Sequence, residues 1–276
     1  MLFVFLLLSL VSGKPLVSAY FGIFDDAYNS TMNVSKTIPW KMFDRIIIAF
    51  ANIDKYANLT NERSTDHAKI QHIISLYKKS RPNGEIFVSV YDDRPERFLY
   101  AANHSKIFSK SVLKYLRKYN INGLDLDWET YRINSYSKQL VTLIKSCNHV
   151  FDRQYKISHT IWPYVHDAST VGLLANIVND INIMSYGLGT DIIENLINQY
   201  NQSGFPYEKM ILGIETETQS ETKDTIADKI ALIHKYNLKG IFVWRLDNDG
   251  IPVDNNTNVG PPTFATTKML YDELYQ

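Results

Sequence analysis

The stretch Asn122-Gly123-Leu124-Asp125-Leu126-Asp127-Trp128-Glu129 carries a carboxylate at every second residue from Asp125 onward. In an extended strand alternate side chains share a face. Asp125, Asp127 and Glu129 therefore point one way, and Leu124, Leu126 and Trp128 the other. Three neighbouring carboxylates cannot all ionise cheaply, because each raises the pKa of the next. Such a cluster is suited to holding one carboxyl protonated near neutral pH, the state a general acid needs. The same alternation also fits a half-exposed acidic edge strand, or oxygen ligands for magnesium or calcium. No histidine accompanies the run, so zinc is not expected.

Working outward, seven more β-branched or aromatic runs accompany the acidic one, which spans 121–128. They lie at 17–23, 45–51, 85–91, 155–162, 180–186, 210–215 and 240–245. Several are apolar on both faces, as in Arg45-Ile46-Ile47-Ile48-Ala49-Phe50-Ala51, the mark of a strand covered by helices. Between them lie helical patterns at 65–80, 105–119, 134–150, 191–200, 222–236 and 263–275. The first of these places Ile70, Ile73, Ile74 and Tyr77 on one stripe. The first and fifth helices of an eight-fold alternation look short and irregular. Eight strands alternating with helices predict a single closed (β/α)8 barrel, whose reactive residues sit at the carboxyl ends of the strands. A doubly wound nucleotide-binding sheet wants a glycine-rich turn after its first strand, and Phe21-Gly22-Ile23-Phe24-Asp25 supplies none. About 24 residues separate the last two strands, too few for an inserted α+β domain.

The chain balances 29 basic against 29 acidic residues, which points away from nucleic acid or an anionic membrane as the main partner. Residues 1–13 read as a signal peptide: an apolar run over 2–10 is followed by Val11-Ser12-Gly13, and it is too short to span a bilayer. Residues 14–276 then form one domain, expected to be a secreted or lumenal monomer with no cofactor and no metal. Sequons at Asn29, Asn33, Asn58, Asn103, Asn201 and Asn255 agree with a secretory route. Cys147, the one cysteine, excludes an intrachain disulfide and reads as a small buried apolar side chain.

The acidic run resembles the strand-four motif D-G-x-D-x-D-x-E of the glycoside hydrolase family 18 chitinases, with Asn122 in place of the first aspartate. Other segments match that family in order: Ala19-Tyr20-Phe21 its first strand, Ala49-Phe50-Ala51 its second, Asn182-Ile183-Met184-Ser185-Tyr186 its sixth and Gly240-Ile241-Phe242-Val243-Trp244 its eighth. The resemblance implies a TIM barrel that cleaves next to N-acetylglucosamine in a chitin-like polymer or an N-glycan core. In it Glu129 protonates the glycosidic oxygen and Asp127 orients the acetamido group, whose carbonyl oxygen attacks the anomeric carbon. Asp125 modulates Asp127, and Tyr186 donates its hydroxyl to that carbonyl. Trp244 forms the floor under the sugar, with Tyr20, Phe50 and Met184 as walls. On residue type alone the aromatic residues and Met184 are ordinary core.

Two departures bear on substrate. The third strand of the family ends in S-x-G-G, where this chain has Ser89-Val90-Tyr91-Asp92, and the aspartate that commonly follows the sixth-strand tyrosine is Gly187 here. Asp92 or Asp93 could restore a charge, or be surface turn acids. Glu215 and Glu217 follow the seventh strand and could face the cleft; a structural Glu215–Arg245 ion pair is the leading expectation and sugar hydroxyl binding the second. A non-catalytic chitinase-like lectin that binds amino sugars, and a hydrolase of bacterial wall glycan, remain as alternatives.

Overall fold

The computed structural model describes residues 13–92, 94–217, 221–250 and 261–275. The signal peptide read at 1–13, but for Gly13, together with Asp93 and the Asn255 sequon, lies outside the described residues.

The chain forms the expected (β/α)8 barrel. The barrel strands are β1 (Leu16–Gly22), β2 (Arg45–Ile53), β4 (Glu85–Tyr91), β5 (Gly123–Asp127), β6 (Lys156–Ile161), β7 (Asp180–Ile183), β8 (Met210–Glu215) and β9 (Gly240–Trp244). Each pairs in parallel with its neighbours, and β1 pairs with both β9 and β2, which closes the cylinder. A two-residue strand, β3 (Leu59–Thr60), pairs antiparallel with the end of β2 outside the barrel and was not expected. Alternation along the strands separates two cores. Leu124, Leu126 and Trp128 face outward into the large core beneath the helices, whereas Tyr20, Ile47, Phe87, Ile211 and Phe242 fill the interior. Each fully covered side chain of this size contributes about 1.5–3 kcal/mol.

The outer ring contains α1 (Asp25–Asn33), α2 (Asp66–Ser80), α3 (Pro95–Asn103), α4 (Ser105–Tyr119), α5 (Ser137–Phe151), α6 (Ala168–Gly172), α7 (Thr190–Gln202), α8 (Lys223–Tyr236) and α9 (Ala265–Tyr275). The short helices expected first and fifth are α1 and α6. Helix α3, begun by Pro95 at its first turn, was not expected. Helices α4 and α8 end on Asn120 and Asn237 in the left-handed conformation (φ 51° and 50°), which asparagine tolerates at a helix end. Cys147 is buried and free. No helix among the described residues is long and apolar enough to cross a membrane.

Candidate active site

Strand β5 and the two residues after it deliver the three acids to the carboxyl end of the barrel. Asp125 is fully buried. It accepts hydrogen bonds from Ser158 (2.6 Å), Ser89 (2.7 Å), Tyr20 (3.0 Å), Thr160 (3.1 Å) and the Asn182 amide (3.2 Å). Burial raises its pKa, and these hydrogen bonds offset part of the rise. Asp127 lies above it, with the Glu129 carboxyl next to it. Burial, then the Glu129 and Asp125 charges, push Asp127 well above the ordinary carboxylate range. Burial also raises Glu129, and the Asp127 carboxyl beside it opposes the rise. Two neighbouring carboxyl groups that both resist ionisation favour keeping one proton in the pair. The Asp127 Oδ1 atom is buried without a hydrogen-bond partner, leaving an acceptor available to an N–H group of a bound molecule.

The aromatic residues occupy three levels. Trp244 closes the interior, with its ring stacked on Phe50 (5.6 Å between centroids) and edge-on to Tyr20 (5.3 Å). Its indole Nε1 donates to Glu217 (3.2 Å), which fixes the ring orientation. Tyr20, expected as a wall, is buried, and its hydroxyl joins Asp125, Thr160 and Asn182. It supports the floor from beneath. Phe50 and Met184, expected as walls, are half-buried at the inner cluster. Tyr186 is half-buried against Phe242. Burial, then the fields of Asp127 and Glu129, raise its pKa well above the ordinary tyrosine value, so its hydroxyl stays a donor.

The departures have physical counterparts. Tyr91 is in register with Asp127, and its ring lies 5.2 Å from Phe50. It therefore extends the aromatic wall at a position where the family has a glycine. Asp92 is buried and held by the Arg94 guanidinium at 2.7 Å and 2.9 Å, so it is neither a surface turn acid nor an unpaired charge. Gly187 has φ 61°, in the left-handed region that glycine enters without steric cost. Asn122 sits at the opposite end of β5, where its Oδ1 accepts the Ile86 backbone N–H at 2.8 Å. Its role is structural.

One expected pair is corrected. Arg245 pairs with Glu217 (3.1 Å) and Asp247 (3.5 Å). The parallel register sets Glu215 opposite Trp244, so the loop beyond β8 supplies the partner. Other residues of the mouth were not singled out from sequence. Tyr131, 81% exposed two residues after Glu129, lies 5.0 Å from the Trp162 ring at the end of β6 and offers a second aromatic face. Asp247, fully buried, accepts the Gly22 backbone N–H at 2.7 Å. An Asp-Trp-Glu run followed by tyrosine is a faint signal for the first; nothing local marks the second. A cavity of about 590 Å³ flanks the carboxyl ends of β2 and β4, bounded by Phe24, Phe50, Tyr91, Arg94 and Arg97; the three acids do not line it. No group of three or more His, Cys, Asp or Glu side chains among the described residues is arranged to hold a metal.

A (β/α)8 barrel with a proton-sharing carboxyl pair at its carboxyl-end mouth, above an aromatic floor, has the architecture of a glycosidase. The profile of "Glycosyl hydrolases family 18" matches residues 18–223, and the chain belongs to that family. Among solved structures it is similar to a class V chitinase from Nicotiana tobaccum in complex with NAG4: 14% identity, TM-score 0.76, covering 95% of this chain and 99% of that one. It is similar also to a chitinase from Bacteroides thetaiotaomicron: 16% identity, TM-score 0.75, covering 94% and 95%. A third likeness is the chitinase-like agglutinin from Robinia pseudoacacia: 16% identity, TM-score 0.75, covering 93% and 99%. At these identities the likenesses speak for the fold.

Proposed function

We propose that the chain is a secreted glycosidase that cleaves the β-1,4 linkage next to an N-acetylglucosamine residue, with retention, through participation of the substrate's own acetamido group. The observation that carries this reading is the buried Asp127 carboxyl next to Glu129 at the barrel mouth, with its Oδ1 reached by no protein donor. Glu129, the more exposed of the two, donates its proton to the glycosidic oxygen as the C–O bond breaks. Asp127 accepts the acetamido N–H, and Tyr186 donates to the acetamido carbonyl, which turns that oxygen toward the anomeric carbon. The oxygen attacks, giving a cyclic oxazolinium whose positive charge lies next to the Asp127 carboxylate. Water, deprotonated by Glu129, opens the ring and restores the acid. Asp125, Tyr20 and Asn182 position Asp127 from below, and Trp244 and Phe50 carry the apolar face of the sugar.

Exposed Asn29, Asn33 and Asn103 support glycosylation on a secretory route. A second reading, a lectin that binds amino sugars, draws support from Tyr91, whose side chain stands where a glycine lets the backbone approach the sugar. It also draws on the fold shared with an agglutinin. The deciding experiment is product analysis after incubation with chitooligosaccharide, a high-mannose glycoprotein and peptidoglycan in parallel, with and without chelator. Release of a product ending in N-acetylglucosamine, undiminished by chelator, is expected. Binding of a saccharide with no product from any of the three establishes the lectin instead.

A further inference from the structure

Helices α4 and α5 pack side by side on one flank of the barrel, and the faces they turn to solvent carry one sign of charge. Lys106, Lys110, Lys114, Arg117 and Lys118 on α4, and Lys138 and Lys145 on α5, are all exposed; neither helix contains an aspartate or a glutamate. None of these cations enters an ion pair among the described residues. The chain as a whole is neutral, so this flank holds a local excess that net charge conceals. Distribution, not sum, sets what such a surface attracts.

The row has a shape. Lys110, Lys114 and Lys118 repeat every fourth residue, which spaces them by about 6 Å along the helix. They form one wall of a groove of about 820 Å³, and residues 58–64, around β3, form the other. Asp54, at the base of that wall, is engaged by the backbone N–H groups of Tyr56 and Asn58, both at 2.8 Å. Glu62 is exposed at the rim. A flat anionic membrane fits a groove poorly, and the exposed apolar contribution here is Ile107 alone, with no aromatic wedge. Single-stranded nucleic acid wants exposed rings to stack on, and the groove's tyrosines, Tyr115 and Tyr119, are buried. The groove shares Asp54, Thr60, Asn61, Glu62 and Arg63 with the cavity beside Phe50 and Tyr91. A polymer lying along the lysines therefore continues over this rim to the barrel mouth.

We infer that the α4–α5 flank, centred on the Lys110–Lys114–Lys118 groove, binds an acidic glycan chain bearing sulfate, phosphate or carboxylate groups. The choice of a saccharide rests on the saccharide reading of the mouth; the preference for negative charge does not. The test is equilibrium binding of the full chain to a heparin-derived dodecasaccharide at low and high ionic strength. Wild type is expected to bind at low salt and weaken as salt screens the contacts. Replacing Lys110, Lys114 and Lys118 together by Glu should weaken binding by about a hundredfold, on roughly fivefold per lysine at a charged surface. Lys36→Glu with Lys41→Glu, exposed lysines elsewhere, should leave it unchanged. Folding of the triple variant is checked by its thermal midpoint rather than by turnover, so the result stands whether or not the chain hydrolyses chitooligosaccharide. The inference is overturned if wild type does not bind, if the control variant loses as much as the triple variant, or if the folded triple variant binds as wild type does. It is overturned too if phosphatidylserine vesicles or duplex DNA bind at least as tightly with the same sensitivity.

Discussion

The two ends of the barrel interior both bury charge, and they do so in opposite ways. At the amino end, Arg45 lies fully buried between Asp180 (2.9 Å) and Glu85 (2.9 Å), with Lys239 on Asp180, Lys156 on Glu85 and the Phe87 ring under the guanidinium. Signs alternate, and every carboxylate there has a cation. At the carboxyl end, Asp125, Asp127 and Glu129 stack three acids with no cation among their hydrogen-bond partners, and one oxygen is unsatisfied. The pKa shifts follow. Burial alone would raise Asp180, yet Arg45 and Lys239 outweigh it and hold the carboxyl below the ordinary range. Burial and like charge raise Asp127 and Glu129 together. A buried carboxylate with a cation beside it stays ionised; one left among its own kind keeps a proton, which is the proton the proposed mechanism uses. The direction of the shift separates scaffold from chemistry within one interior.

The sharpest test of that contrast replaces Glu129 by Gln, which keeps its shape and removes its proton. Turnover of an acetamido-sugar substrate should fall by about 10²–10⁴, while stability at neutral pH holds or rises. The sign follows from linkage. Glu129 and Asp127 have raised folded-state pKa values, so their contribution is fully present below the unfolded value of about 4 and is lost as pH rises through the folded ones. At neutral pH the cluster is a strain that Gln relieves. For the same reason wild-type activity should decline on the alkaline side as the shared proton leaves. Rates and thermal midpoints of both proteins across pH check this. Retained turnover would show that the acid is misassigned, and a lower midpoint would show that Glu129 belongs to the scaffold.

At the other end the expectation reverses. Asp180→Asn leaves Arg45 buried with half its countercharge, and the loss of one partner of a buried pair costs about 3–5 kcal/mol. The pKa of Asp180 is depressed, so its contribution is present above about pH 4 and disappears as pH falls through the folded value. Denaturant unfolding should show a lower midpoint for the variant at neutral pH and a smaller gap in acid. The rate per folded molecule should be unchanged. A variant as stable as wild type would break the comparison at its scaffold end.

The acidic end was legible in the sequence because its signal is local. Period-two alternation over 122–129 fixes which side chains face the axis, and the β-branched runs bracket each barrel strand to within a few residues. The basic end was not. Arg45 and Asp180 are 135 residues apart and meet only once the cylinder closes. The same holds for the buried His159–His166 contact behind β5, with nitrogens at 3.3 Å and His159 bonded to the Leu126 carbonyl, in a place where the motif showed only leucine. Burial and His166 depress His159 to about 3, and burial depresses His166 to about 4, so both rings are neutral structural groups. Arg245 illustrates the middle case. Its strand was found, but its partner lies in the next loop, and register within a strand pair does not reach that far.

The smallest expected effect concerns Trp244, which belongs to the reactive end by position and to the scaffold by contact. Its ring stacks on Phe50, crosses Tyr20 and is held by Glu217, contacts that a core aromatic could equally make. What distinguishes it is that it is only half-buried at the mouth, whereas Phe87 at the basic end is fully buried. A half-buried aromatic ring in an apolar surround contributes by stacking. Trp244→Ala should therefore weaken chitooligosaccharide binding by about 1–3 kcal/mol, by analogy with ring stacking on other ligands. Binding is best measured in the Glu129→Gln background, where no substrate is consumed. Phe87→Leu, made in the same background, removes a fully buried aromatic ring without touching the cleft. It should lower the thermal midpoint and leave affinity alone. If Trp244→Ala and Phe87→Leu both change stability and neither changes affinity, the floor is core, and the division between the two ends lies higher in the barrel than Trp244.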